Sequence, residues 1–294
     1  METDAYRGRF APSPTGDLHM GSLIAALASY LDARANNGQW LLRMEDLDPP
    51  REEPGAARRI LSSLVDHGLR WDGDVLWQSQ RSQAYQQALD KLAGQDRLFR
   101  CDCTRSMLGP GGACAGRCLP RQTDITEPCA LRVRVPVDCQ ITFSDGIQGK
   151  QSEALGQDFP DFILRRKDGL YAYQLAVVVD DAFQEIDHVL RGSDLLDSTG
   201  RQIYLQQLLE FDPPSYSHFP VITNTMGQKY SKQTHAPALL AADAPEHLRR
   251  ALAFLRQPQI PKSLRSCSQI LAQAAENWST DAIPKQMAVV AADP

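Results

Sequence analysis

The first 44 residues leave few choices of fold. Residues 6–11 read as a buried strand, the Pro/Gly-rich stretch 12–16 breaks it, and residues 22–36 read as a helix. In that helix Leu23, Leu27 and Leu31 recur at i, i+4 and i+8 with alanines on the flanks, and Asn36-Asn37-Gly38 supplies a C-terminal stop. Residues 39–44 return as an apolar strand. Strand, helix and strand in so short a span make a βαβ unit, which requires a parallel sheet and a right-handed crossover. The fold class that follows is α/β, of Rossmann type.

Further along, residues 55–69 and 80–93 read as helices. From 101 to 156 the chain becomes rich in Gly, Pro and Cys and holds short alternating strands such as Leu131-Arg132-Val133-Arg134-Val135, the mark of an insertion between two halves of the sheet. The α/β pattern resumes at residues 173–179, a continuous apolar run that suits a strand covered on both faces. A helix at 198–210 and a strand at 221–224 complete the second half. The remainder reads as short helices, one of them at 246–256. The expected organisation is a first Rossmann-type half at 1–100, a Cys-rich insertion at 101–156, a second half at 157–235 and a C-terminal helical region at 236–294.

Composition narrows the functional classes. With 294 residues, 43% of them apolar, the chain can bury a sizeable core. No apolar run approaches the ~20 residues that span a bilayer, and the polar residues 1–9 lack the core of a signal peptide. A cytoplasmic protein without a membrane partner is expected. A net charge of −5 gives no global basic signature for nucleic acid, but phosphate contacts need only a local basic face. Arg165-Arg166-Lys167 and Arg249-Arg250 are candidate patches, or simply solvated surface.

Two short segments carry chemistry. Arg9-Phe10-Ala11-Pro12-Ser13-Pro14-Thr15-Gly16-Asp17-Leu18-His19-Met20-Gly21-Ser22 joins the first strand to the first helix. A glycine-bearing turn entering a helix N-terminus is a ready anion site, because unpaired backbone N–H groups and the helix dipole face the ligand. Gly21 lets a nucleotide approach the backbone and the His19 imidazole can donate to a phosphate oxygen. Far downstream, Lys229-Tyr230-Ser231-Lys232-Gln233 follows the apolar Phe219-Pro220-Val221-Ile222.

A third segment gathers thiols. Of seven cysteines, four are spaced Cys101-x-Cys103-x10-Cys114-x3-Cys118 around a Gly/Pro-rich turn. An odd count without a secretion signal argues against a disulfide framework. Four thiolates suit a closed, structural, tetrahedral Zn²⁺, whereas reduced thiols with one or two redox-active members are the other reading.

The first segment resembles the HIGH element, and the second the KMSKS loop, of the class I aminoacyl-tRNA synthetases. Residues 8–16 and Arg43-Met44-Glu45-Asp46-Leu47-Asp48 are similar to the signatures of the glutamyl and glutaminyl branch. So are Tyr171-Ala172-Tyr173-Gln174-Leu175-Ala176-Val177-Val178-Val179-Asp180-Asp181 and Arg191-Gly192-Ser193-Asp194-Leu195. The resemblance implies that Arg9 pairs with the substrate's side-chain carboxylate and that Glu45 takes its ammonium group. Ala11, Ser13, Tyr173 and Arg191 would complete the amino-acid site. An Arg fork grips a carboxylate bidentately, and two arginines around one pocket favour glutamate over glutamine. Glu45 also reads as one acid in an exposed turn, and Tyr173 as a core tyrosine.

The same resemblance assigns ATP to His19, Gly21, Lys229, Ser231 and Lys232, with His19 and Lys232 stabilising charge on the phosphates and Mg²⁺ completing the balance. Adenylation needs positioning and cations more than covalent help. Tyr230 and Gln233 depart from KMSKS, but the lysines and Ser231 are kept. Relatives carry zinc at the Cys-rich insertion, which strengthens the zinc reading.

Beyond Lys232 the chain holds too little sequence for the anticodon-reading domains of a full glutamyl-tRNA synthetase. That pattern resembles the glutamyl-Q tRNA(Asp) synthetases, paralogues that activate glutamate without tRNA and esterify it to queuosine at the wobble position of tRNA(Asp). The expected partners are L-glutamate, ATP and the tRNA(Asp) anticodon arm, and the expected state is a monomer. Other readings are a minimal enzyme charging a tRNA 3′ end, an enzyme glutamylating a protein or small molecule, and a non-catalytic tRNA- or nucleotide-binding paralogue.

Overall fold

The structure, a computed structural model, describes residues 6–223 and 239–290. The KMSKS-like residues Lys229, Ser231 and Lys232 therefore lie outside the described residues. β1 (Arg7–Phe10), α1 (Met20–Ala35) and β2 (Gln39–Met44) follow in order. β1 and β2 pair in parallel, Arg7 opposite Gln39 and Phe10 opposite Leu42, so the βαβ unit is present. α1 buries Leu23, Leu27 and Leu31 and ends where Asn37 takes φ 53° and the Gly38 N–H reaches the Ala33 carbonyl at 2.8 Å. This left-handed stop closes the last helical turn. Gly38 is also required sterically, since a Cβ there would lie 2.3 Å from the Tyr6 carbonyl oxygen. α2 (Ala56–Asp66), β3 (Leu76–Trp77) and α3 (Ser82–Gly94) complete this half, with β3 parallel to β2.

The segment expected as one insertion divides in two. β4 (Leu98–Cys101) and β5 (Ala130–Arg134) flank the cysteine-bearing loop, while β6 (Ile141–Asp145) and β7 (Gly149–Glu153) form a hairpin. A single turn, α4 (Leu155–Asp158), leads to β8 (Asp161–Arg165). β4, β5 and β8 make a separate antiparallel sheet, whereas β6 joins the parallel sheet of the second half.

One expectation is overturned. Residues 173–179 are not a strand but the start of α5 (Tyr173–Phe183). Every residue from Gln174 to Asp181 is buried, so the helix has no polar stripe to betray its period, and an apolar run alone cannot separate buried strand from buried helix. The adjacent acids at its end point to different partners. Asp180 accepts from Gln78 Nε2 at 2.9 Å, Arg81 Nε at 3.0 Å and Tyr85 Oη at 2.7 Å, while Asp181 meets arginines of β1 and β2.

After α5 come β9 (His188–Gly192), α6 (Leu196–Leu209), β10 (Ser215–Phe219) and β11 (Val221–Thr223). β9, β10 and β6 lie parallel in that order, with β7 at the edge. The two halves meet where β1 runs beside β9. There the Arg7 N–H donates to Asp187 Oδ1 at 2.7 Å and the Asp187 N–H to the Arg7 carbonyl at 3.2 Å. Since β1 continues outward to β2 and β9 to β10, this is the topological switch point of the sheet. Its crevice beyond the strand C-termini is where open α/β sheets take ligands. α7 (Ala244–Phe254) and α8 (Cys267–Glu276) pack on α1, and β12 (Ala288–Val290), which the sequence did not announce, pairs in parallel with β11. Among the described residues no helix is long and apolar enough to cross a membrane.

Candidate active site

A cavity of about 730 Å³ opens at the switch point. Its walls come from the C-terminal ends of β1, β9 and β10, the residue just after β2, and the N-termini of α1 and α5. Arg9, Ala11, Ser13 and Glu45 line it, as do His19, Gly21, Tyr173 and Arg191. Arg9 and Arg191, 182 positions apart in sequence, thus share one space.

Two buried arginines meet one carboxylate beneath this cavity. Arg9 Nε and Nη2 lie 3.1 and 3.4 Å from Asp181 Oδ1 and Oδ2, and Arg43 Nη2 donates to Oδ1 at 2.7 Å. Arg43 also donates from Nη1 to Gln184 Oε1 at 2.8 Å, and its Nε stands 3.7 Å from Glu45 Oε1. Burial pushes the Asp181 carboxyl up, but Arg43 and Arg9 outweigh it and hold the group below its ordinary value. Asp181 thereby engages the edge of Arg9 formed by Nε and Nη2.

Glu45 sits where β2 ends, its N–H donating to the Pro12 carbonyl at 2.9 Å, so the strand end and the turn are tied together. Burial pushes its carboxyl up to about 7, against the pull of Arg43 and Arg9. A carboxylate so poorly hydrated gains much from a cationic ligand. Tyr173, the first residue of α5, is likewise pushed up by burial, with Arg191 opposing and Glu45 reinforcing the shift. Arg191 donates from Nε to His218 Nε2 at 2.9 Å and from Nη2 to Thr199 Oγ1 at 2.9 Å. Its Nη1 is buried with no hydrogen-bond partner among the described residues.

His19 is the N-cap of α1, extended at φ −120° and ψ 174°. Its Nδ1 accepts from the Ser22 N–H at 3.4 Å, which places the proton of the neutral ring on Nε2, and Nε2 stands 3.1 Å from Ser22 Oγ. No acidic side chain stands in the first turn of α1, so the dipole and N–H groups there favour an anion. The cavity thus brings cationic groups and the carboxyl groups of Glu45 and Asp194 together with a helix N-terminus.

Sequence reasoning did not single out Asp181, Arg43, His218 or Thr199. Arg43 carried a signal, because an arginine inside the apolar run Trp40-Leu41-Leu42-Arg43-Met44 needs a buried anionic partner. The Asp180-Asp181 pair closing another apolar run is the matching half of that signal.

The cysteine sulfurs converge as the spacing suggested. Cys101, Cys103, Cys114 and Cys118 are all buried, with their sulfurs within 4.8 Å of one another. Cys103 Sγ lies 3.8 Å from Cys114 Sγ and 3.5 Å from Cys118 Sγ. Tetrahedral thiolates at metal–sulfur bonds of about 2.3 Å stand about 3.8 Å apart, so the set fits a metal ion. Asp161 anchors the loop: it accepts from the Cys114 and Ala115 N–H groups at 2.9 and 2.8 Å and pairs with the fully buried Arg132.

Comparison with known proteins gives the family and the fold. The family model described as the catalytic domain of class I tRNA synthetases (E and Q) matches residues 5–110 and 119–257. The glutamate-tRNA synthetase of Elizabethkingia anophelis superposes with a TM-score of 0.80 at 22% identity, over 98% of this chain and 68% of that one. A glutamate tRNA ligase from Elizabethkingia meningosepticum, solved in complex with its amino acid, gives 0.79 at 23%, over 96% and 66%. Fold and family model together make this a class I tRNA synthetase catalytic domain of the glutamate and glutamine branch. Glutamyl-Q tRNA(Asp) synthetase of Pseudomonas entomophila is 48% identical over 100% of this chain and 99% of its own length. That of Neisseria meningitidis serogroup B is 49% identical over 95% and 98%. The chain belongs to the glutamyl-Q tRNA(Asp) synthetase family.

Proposed function

We propose that the protein activates L-glutamate with ATP, without tRNA, and transfers it to queuosine at the wobble position of tRNA(Asp). The observation that carries this reading is the joining of Arg9, Arg191, Glu45 and the α1 N-terminus in one switch-point cavity. Identity of 48% to a glutamyl-Q tRNA(Asp) synthetase along the whole chain supports the choice of acceptor.

In the first step an oxygen of the glutamate α-carboxylate attacks the α-phosphorus of ATP, the bond to the β-phosphate oxygen breaks, and pyrophosphate leaves. Arg9 and Arg191 hold carboxylate charge, Glu45 in its ionised form takes the ammonium group, and Tyr173, Ala11 and Ser13 bound the amino acid. The His19 imidazole and the α1 N-terminus, both at the cavity wall, are assigned the phosphates, with Gly21 allowing close approach. Mg²⁺ enters with ATP and offsets phosphate charge. Lys229, Ser231 and Lys232, outside the described residues, are assigned the triphosphate. In the second step a queuosine ring hydroxyl attacks the activated carbonyl carbon. The acyl–phosphate bond breaks, AMP leaves with the electron pair, and the hydroxyl proton is released. Positioning and electrostatic stabilisation carry both steps.

The metal at Cys101, Cys103, Cys114 and Cys118 is zinc in this reading. It supplies structural closure of a loop too small to bury a core of its own. The enzyme works in the cytoplasm, as a monomer on the anticodon arm. Glutamate-dependent exchange of pyrophosphate into ATP, measured with tRNA absent, tests the activation step. Exchange with glutamate and not with glutamine is expected, and its absence would refute the reading.

A further inference from the structure

Three protein groups fix Arg191 at the cavity's edge. Its Nε donates to His218 Nε2 at 2.9 Å, and its Nη2 donates to Thr199 Oγ1 at 2.9 Å and to the Leu195 carbonyl at 3.3 Å. The Tyr216 ring centroid lies 5.3 Å from its Cζ. Nη1 is the nitrogen left without a partner among the described residues, so its placement is decided by what the other nitrogens hold.

An arginine Nε always carries a proton, so His218 Nε2 must accept. The ring is therefore neutral, with its proton on Nδ1, and Asp145 enforces that tautomer. Oδ1 of Asp145 is committed to the backbone N–H groups of Ile147, Gln148 and His218 at 3.0, 2.8 and 3.1 Å. Oδ2 remains to accept the Nδ1 proton of His218. Burial holds the imidazole below its ordinary pKa, outweighing the pull of Asp145, which keeps the ring neutral. Strand register makes the chain possible: His218 on β10 stands opposite Arg191 on β9, and Asp145 ends the neighbouring β6.

We propose that His218, its tautomer set by Asp145, is a positioning residue that holds the Arg191 guanidinium so that Nη1 meets a carboxylate of the substrate. The inference rests on the proposed glutamate activation. Without the acceptor, Nε–H is buried and unpaired, and the guanidinium must turn to satisfy it at the expense of the substrate contact. ATP, held elsewhere in the cavity, should be indifferent.

Glutamate-dependent pyrophosphate exchange separates the possibilities when the KM values for glutamate and ATP are measured apart. His218→Leu removes the acceptor and should raise the glutamate KM about tenfold or more, with the ATP KM unchanged. His218→Gln supplies an amide oxygen near the position of Nε2 and should recover most of that loss. In Asp145→Asn the three backbone donors keep Oδ1 as the amide oxygen. The amide NH2 then faces Nδ1, drives the ring proton to Nε2 and sets donor against donor at Arg191. A raised glutamate KM is expected for this isosteric variant, and adding His218→Gln to it should relieve the effect.

An unchanged glutamate KM in His218→Leu overturns the inference. So does a parallel rise in both KM values, or a His218→Gln variant as impaired as His218→Leu, since each reports a merely structural role. If the parent protein shows no glutamate-dependent exchange, the proposed function itself falls and takes the inference with it.

Discussion

Asp181 meets Arg9 edge to edge, with Nε and Nη2 of the arginine 3.1 and 3.4 Å from the two carboxylate oxygens. Arg43 shares the same carboxylate at 2.7 Å. An anion on the buried helix α5 therefore sets the position of a cavity arginine on β1. Asp181→Ala leaves two buried guanidinium groups short of their partner, and a loss of about 3–5 kcal/mol is expected in chemical denaturation. Because the folded carboxyl is held below its ordinary value, its stabilisation is complete at neutral pH. It fades as pH falls below about 3.9 and through the depressed folded value. Asp181→Asn should flatten that acid limb and raise the glutamate KM as Arg9 loosens.

Glu45 gives a pH dependence of the opposite origin. Burial pushes its carboxyl up to about 7 in the folded protein. Between its ordinary unfolded value and about 7 the native state binds more protons than the unfolded state, so this residue's contribution to stability falls as pH rises across that window. Binding of an ammonium group needs the ionised form. Glutamate affinity should therefore weaken as pH drops below about 7 and level off above it. Titration calorimetry across this range checks the slope. Glu45→Gln should bind about tenfold or more weakly at pH 8 and lose the dependence near 7.

The cysteine cluster predicts one zinc per chain by elemental analysis of the purified protein. Cys103 Sγ lies 3.5 and 3.8 Å from two of the other sulfurs. Cys103→Ser should lower the metal content, and metal loss should expose the amides between β4 and β5 to hydrogen exchange while those of α1 stay protected. Full protection of that loop after exhaustive chelation would count against a structural metal.

Gly38 tests the junction of α1 and β2. A Cβ there meets the Tyr6 carbonyl oxygen at 2.3 Å, a backbone atom that cannot swing aside. Gly38→Ala should cost about 1–3 kcal/mol, read as a lowered denaturation midpoint.

Sequence pattern carried the amphipathic elements further than the buried ones. The Leu23, Leu27 and Leu31 stripe and the Asn36-Asn37-Gly38 stop marked α1 because local periodicity and turn chemistry agree there. Residues 173–179 hid a helix because a segment buried on every side shows no period. The cavity residues on motifs were legible one by one, from Arg9 to Arg191. The layer that holds them was not: Asp181, His218 and Asp145 reach across elements brought together by topology, at separations no local pattern records. The pairing of β12 with β11 was hidden for the same reason.

Transfer of radiolabelled glutamate, with ATP and Mg²⁺, to two preparations of tRNA(Asp) tests the central claim most directly. One contains queuosine and lacks its 3′-terminal adenosine; the other keeps an intact 3′ end and lacks queuosine. The account predicts label on the first and none on the second. Label on the second alone would contradict it and make the protein a minimal enzyme charging the tRNA 3′ end.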